Sequence, residues 1–111
     1  MTQLEAMALT FAIEAPVAAV LAFWFARKPL LCAGAAIAGT TITHPVLWAV
    51  YYGARTALGA LTTPILEGVI IAVETLGYRA IATTRWDEAA LFSVLANAAS
   101  WGGGELIYAM T

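Results

Sequence analysis

Residues 4–29 read LEAMALTFAIEAPVAAVLAFWFARKP. From 4 to 26 the only charged side chains are Glu5 and Glu14, and the stretch stops abruptly on Arg27-Lys28-Pro29. A bilayer core of about 30 Å is crossed by roughly 20 mostly apolar helical residues. The quoted segment meets that length, and two basic residues followed by proline mark its end. It predicts a transmembrane helix. Its first basic residue follows the apolar stretch instead of preceding it, which predicts a retained span and not a cleaved signal.

The same texture continues along the chain. Apolar runs over residues 30–53, 64–82 and 89–110 predict three more spans, separated by the segment 54–63 and by Thr83-Thr84-Arg85-Trp86-Asp87-Glu88. Thr84, Asp87 and Glu88 suit a helix start, where carboxylates meet free amide groups. Composition agrees: 11% of the 111 residues are charged, against roughly 25% in soluble domains. So few charges cannot cover a surface in water. Lipid offers no partner for an open backbone, so spanning segments of this length are helices. The expected fold is all-α integral membrane, a single domain of four transmembrane helices over residues 1–111.

Basic residues set the expected orientation. Arg27 and Lys28 lie in the first connection and Arg79 and Arg85 at the third, with Arg55 alone on the opposite side. Four against one places the first and third connections in the cytoplasm and both termini outside it, in a bacterial-type inner membrane. Trp24, Trp48, Tyr51, Tyr52, Tyr78, Trp86, Trp101 and Tyr108 fall mostly near span ends, as an interfacial aromatic belt would. A shift of 53 positions lays Glu14 on Glu67, His44 on Asn97 and Trp48 on Trp101. That suggests a parallel duplication of a two-helix hairpin.

The informative residues are the polar ones inside the spans. A charged group at mid-bilayer costs about 2.5–3.5 kcal/mol on insertion scales, and such groups usually face the bundle interior. Glu14, His44, Glu67, Glu74, Asn97 and Ser100 form this set, with Ser93 on the face of Asn97. Glu67 and Glu74 are two turns apart and share a helix face. Arg79, one step beyond that face, is expected to snorkel to the cytoplasmic boundary or to form an ion pair there, turning back toward Glu74. His44 precedes Pro45, and its expected local role is to bond the kinked backbone or Thr40.

Three readings of this polar core compete. The groups hydrogen-bond across helices and fix packing register; or they form a proton relay or cation site; or they hold a metal or pigment. The Glu-x-x-His spacing of bundle di-metal sites is absent. Cys32, the single cysteine, reads as a small buried hydrophobe. No phosphate loop, dinucleotide fingerprint, Cys-x-x-Cys or His-Glu-x-x-His is present. No basic run exists either, which argues against nucleic acid as a partner.

Glu74-Thr75-Leu76-Gly77-Tyr78-Arg79 resembles the Glu-Glu-x-x-x-Arg motif of the CAAX-processing intramembrane proteases. The segment from Ala89 through Phe92 to Asn97 is similar to that family's later apolar helix, which carries Phe-x-x-x-His. Thr75 stands where the second glutamate belongs, and Ala96 where the histidine belongs. The likeness covers about a quarter of the chain, and one histidine cannot supply the family's water-activating set.

Small residues complete the picture. Ala33 to Ala36 with Ala38 and Gly39 smooth the second span, and Ala96, Ala98, Ala99 and Gly102 to Gly104 the fourth. Such faces let helices approach closely, and they predict contact with other subunits. The connections are too short to hold an active domain. The expected class is a small non-catalytic membrane subunit packing onto a larger membrane complex, its partners the lipid bilayer and other subunits or further copies of itself. The alternative is a homo-oligomeric proton or cation transporter or channel using the intramembrane carboxylates and His44. A third reading makes His44 the ligand of a pigment, haem or metal; the residues name no cofactor.

Overall fold

The computed structural model describes residues 2–110 and is all-helical over them. α1 is Gln3–Trp24, α2 Pro29–Leu58, α3 Thr62–Ile81 and α4 Trp86–Met110. Two helical runs, Gln3–Trp24 and the unbroken stretch Pro29–Ile81, are long and apolar enough to cross a membrane. The second run covers 53 residues because α2 passes into α3 through a single 3-10 turn, Gly59–Leu61.

Local chemistry explains where each helix begins and ends. Thr2 and Glu5 form a reciprocal capping box at the start of α1: the Thr2 hydroxyl accepts from the Glu5 amide, and the Glu5 carboxylate accepts from the Thr2 amide. α1 ends with Ala26 in the left-handed region, φ 57°, while the Arg27 amide donates back to the Ala22 carbonyl. Pro29 at the first position of α2 uses a site where its missing amide costs nothing. The segment 54–63, expected as an open connection, is mostly helix: α2 runs on to Leu58 and reverses at Gly59, φ 59°. Glycine enters that backbone region without a Cβ penalty, so no longer loop is needed.

α1 packs on α2, α2 on α3 and α3 on α4, and α4 closes back on α1. Short connections make neighbours antiparallel. One end of the bundle carries the first and third connections; the other carries the termini and the Gly59 turn. The long dimension is 42 Å, close to the roughly 40–45 Å of a bilayer with its headgroups.

Burial is inverted relative to a protein dissolved in water. The interior is made of small or polar side chains: Ala18, Ala22, Ala35, Ala36, Ala96, Glu14, Thr40, Glu74, Ser93 and Asn97 are buried. The large apolar side chains point outward, among them Val20, Phe23, Leu30, Ile42, Val69 and Leu76. In water such a surface would aggregate. Tyr78 and Phe92 are the largest buried side chains and stack at 5.3 Å near the end with the first and third connections. Tyr78 therefore leaves the expected aromatic belt and joins the core.

The small-residue faces are divided. Ala35, Ala36 and Ala96 are consumed inside the chain, whereas Gly34, Ala38, Ala98 and Gly102 face outward. Only part of that surface is left for a partner. The residues equated by the 53-position shift, Glu14 with Glu67 and His44 with Asn97, line one cavity. Glu67 stands 53 positions after Glu14, yet the buried α3 carboxyl that meets Glu14 is Glu74.

Candidate functional site

Four helices each bring a polar side chain to the middle of the bundle. Glu14 on α1 accepts a hydrogen bond from the Thr40 hydroxyl of α2 at 3.1 Å. One turn further along α2, Thr43 donates to Glu74 on α3 at 2.9 Å. Asn97 of α4 donates to the other oxygen of Glu74 at 3.1 Å and to the Ser93 carbonyl at 2.8 Å. The Ser93 hydroxyl donates to the Ile71 carbonyl, and that of Ser100 to the Asn97 carbonyl. The spacings put these groups on common faces: Thr40 and Thr43 are three residues apart, and Ser93, Asn97 and Ser100 are four and then three apart.

Glu14 and Glu74 are 1% and 2% exposed, and their carboxyl groups sit together in one buried site, both lining the same cavity. Their donors are Thr40 for one Glu14 oxygen, and Thr43 and Asn97 for the two Glu74 oxygens. Glu14 Oε1 has none. If both groups are ionised, neither has a hydrogen to offer the other. One proton between them supplies the missing donor.

A cavity of about 100 Å³ lies against this pair. The sequence-derived set Glu14, His44, Glu67, Glu74, Asn97 and Ser100 all line it. Thr10, Thr43 and Trp101 line it too. Thr10 and Thr43 were not foreseen as site residues. Each has a sequence signal in its spacing: Thr43 lies three residues from Thr40, and Thr10 four residues before Glu14.

Two expected contacts differ. The Thr40 hydroxyl goes to Glu14 and not to His44, whose ring stacks on Trp48 at 6.3 Å. His44 Nδ1 is buried without a hydrogen-bond partner. Arg79 neither turns back to Glu74 nor forms an ion pair among the described residues; its guanidinium lies 5.2 Å over the Trp86 ring, where a cation meets the face of an indole.

At that end Arg85 pairs locally with Asp87 and Glu88, and the ion pair that joins two elements belongs to Arg27. It binds Glu88 through two parallel N–H groups at 2.7 and 2.9 Å, joining the first connection to the start of α4. The Thr83 hydroxyl adds a third donor to Glu88 at 3.2 Å. The Arg27 guanidinium holds the Glu88 carboxyl below the usual carboxylate range, and Arg85 does the same for Asp87. Beneath the Arg27–Glu88 pair, Ala18, Ala22, Cys32, Tyr78, Phe92 and Ala89 pack into an apolar plug. The polar cavity thus lies against a sealed half of the bundle.

Among the described residues, no three His, Cys, Asp or Glu side chains stand close enough together to hold a metal ion. No family model matches the chain, and neither curated proteins nor solved structures give a match.

Proposed function

We propose that this chain is a four-span membrane protein that binds and releases a proton at the Glu14–Glu74 pair, as the working site of a small transporter or channel. All four helices are 20 residues or longer, and 20 helical residues extend roughly 30 Å. The excess of basic residues at the first and third connections supports a cytoplasmic position for them and an outside position for both termini. A bacterial-type inner membrane fits that asymmetry.

The observation that carries the reading is the missing donor at Glu14 Oε1. Two carboxyl groups that meet in a buried site cannot both be comfortably ionised. A purely structural network would not need an acid in each position, since glutamine supplies its own donor. A proton is the smallest species that completes the set, and the adjoining cavity gives it a water-sized path. The test is proton flux into liposomes carrying the purified protein and a trapped pH-sensitive dye. Flux that is lost in Glu14→Gln and Glu74→Gln, with helicity retained, is the expected result; no flux from the wild-type protein overturns the reading.

A second reading, the accessory subunit, draws on a different feature. An apolar groove of about 280 Å³ runs between α2 and α3 on the outer surface, lined by Ile42, Val46, Val50, Leu66, Val69 and Val73 among others. A helix of another membrane subunit fits such a groove. Native mass spectrometry after gentle extraction separates the two: foreign polypeptides support the subunit, and multiples of 11.7 kDa alone support self-assembly.

A further inference from the structure

The polar cavity has an outer chamber. A second cavity of about 230 Å³ lies toward the end of the bundle that carries the termini, lined by Glu105 and Tyr108 among others. Thr10, His44 and Ser100 line both cavities, so they form the neck between the chambers. Each comes from a different helix: α1, α2 and α4. The Thr10 hydroxyl donates to the Ala6 carbonyl and the Ser100 hydroxyl to the Asn97 carbonyl. His44 Nδ1 remains unpartnered. Of the three neck residues, only His44 both takes up and gives up a proton near neutral pH.

We infer that His44 is the proton relay at this neck, carrying protons between water in the outer chamber and the Glu14–Glu74 pair, so that the pair exchanges with the terminus-bearing side of the membrane. The inference rests on the reading of the pair as a proton site. The neutral imidazole takes a proton from chamber water on its other ring nitrogen, which is not buried as Nδ1 is, becoming imidazolium. It then gives one proton to a carboxylate of the pair, through cavity water, and returns to neutral. Each cycle makes and breaks only N–H and O–H bonds, and one carboxylate is neutralised per proton delivered. The inner chamber has room for several waters, since about 10–15 Å³ admits one. The titratable groups facing this neck are Glu14 from α1, Glu67 and Glu74 from α3, and Glu105 and Tyr108 from α4. The other end is packed differently. It is closed by the apolar plug and by the Arg27–Glu88 pair.

The experiment is the liposome flux assay with His44→Ala, with and without added imidazole. Liposomes carrying Glu14→Gln and receiving the same imidazole set the baseline. Expected is a loss of about a hundred-fold or more in His44→Ala, the scale of a missing proton-transfer group, and recovery of flux when imidazole is added. His44→Gln keeps the side-chain volume and is expected to lose flux equally; it carries the comparison if His44→Ala fails to fold by circular dichroism. Wild-type flux that is unchanged in both variants overturns the relay alone. So does a loss that imidazole does not repair. Absence of wild-type flux overturns the carboxylate reading, and the relay with it.

Discussion

Glutamine at position 14 does for the buried pair what a proton does. Its carbonyl oxygen replaces the one that accepts from Thr40, and its amide donates where Glu14 Oε1 has no partner. Glu14→Gln is therefore expected to melt at or above the wild-type temperature in detergent. Glu14→Ala leaves Thr40 and Glu74 facing a void and should cost about 1–3 kcal/mol. A Gln variant that melts as low as the Ala variant would contradict the donor argument. Gly39 makes a second, steric test. A Cβ there would sit 3.1 Å from Glu74 Cγ, pushing the carboxyl off Thr43 and Asn97. Gly39→Ala is expected to destabilise by about 1 kcal/mol, read in the same melts. At this scale the sequence announces which residues matter, because acids and amides inside apolar spans are conspicuous. It does not announce the pairings. Glu14 meets Glu74 and not its apparent repeat Glu67, because that choice depends on how each helix is rotated about its axis.

The helix ends carry predictions of their own. Ala26 holds a left-handed conformation that costs a residue with a Cβ roughly 1–2 kcal/mol. Ala26→Gly removes that strain, less the extra backbone entropy of glycine, for a net gain of about 0.5–1 kcal/mol. The opposite change, Gly59→Ala, puts a Cβ on a backbone with φ 59° and ψ −125°, a conformation that L side chains rarely adopt, and should lower the melting temperature. The Arg27–Glu88 pair adds a pH dependence. The Glu88 carboxyl is depressed in the fold, so its contribution is complete above the ordinary value of 4.5 and is lost as pH falls through the lower folded value. Melting curves between pH 7 and pH 3 should show this loss in the wild type, and the acid sensitivity should shrink in Glu88→Gln. The end of the first span was readable from Arg27-Lys28-Pro29, and the start of α4 from the acidic cluster at Asp87 and Glu88. The Arg27–Glu88 pair was not, since its partners are 61 residues apart and nothing local marks them.

For the whole molecule, fold class and burial speak with one voice. A chain this poor in charge predicts helices that face lipid, and the inverted packing of alanines inside and leucines outside is its three-dimensional counterpart. What local reasoning overestimated was the connection between the second and third helices. Gly59 makes a three-residue turn sufficient, so α2 runs five residues past the expected end at 53. Small residues were also read as partner surface, although much of that surface lines the chain's own interior. The proposed orientation has a direct check. In a cysteine-free background, Lys28→Cys should be protected from an impermeant maleimide in intact cells, and Glu5→Cys should be labelled. The reverse pattern would turn the protein over in the membrane and move the His44 neck to the cytoplasmic side.

Cys32 gives the sealed end a clock. It is fully buried beside Tyr78 and Phe92 in the apolar plug and is the single thiol of the chain. A reagent reaches it only while that plug is parted, so the labelling rate of the unaltered protein measures how often the closed half opens. A protein that must release protons to both sides should label faster when a proton gradient drives it; a static scaffold should label at a rate indifferent to any gradient.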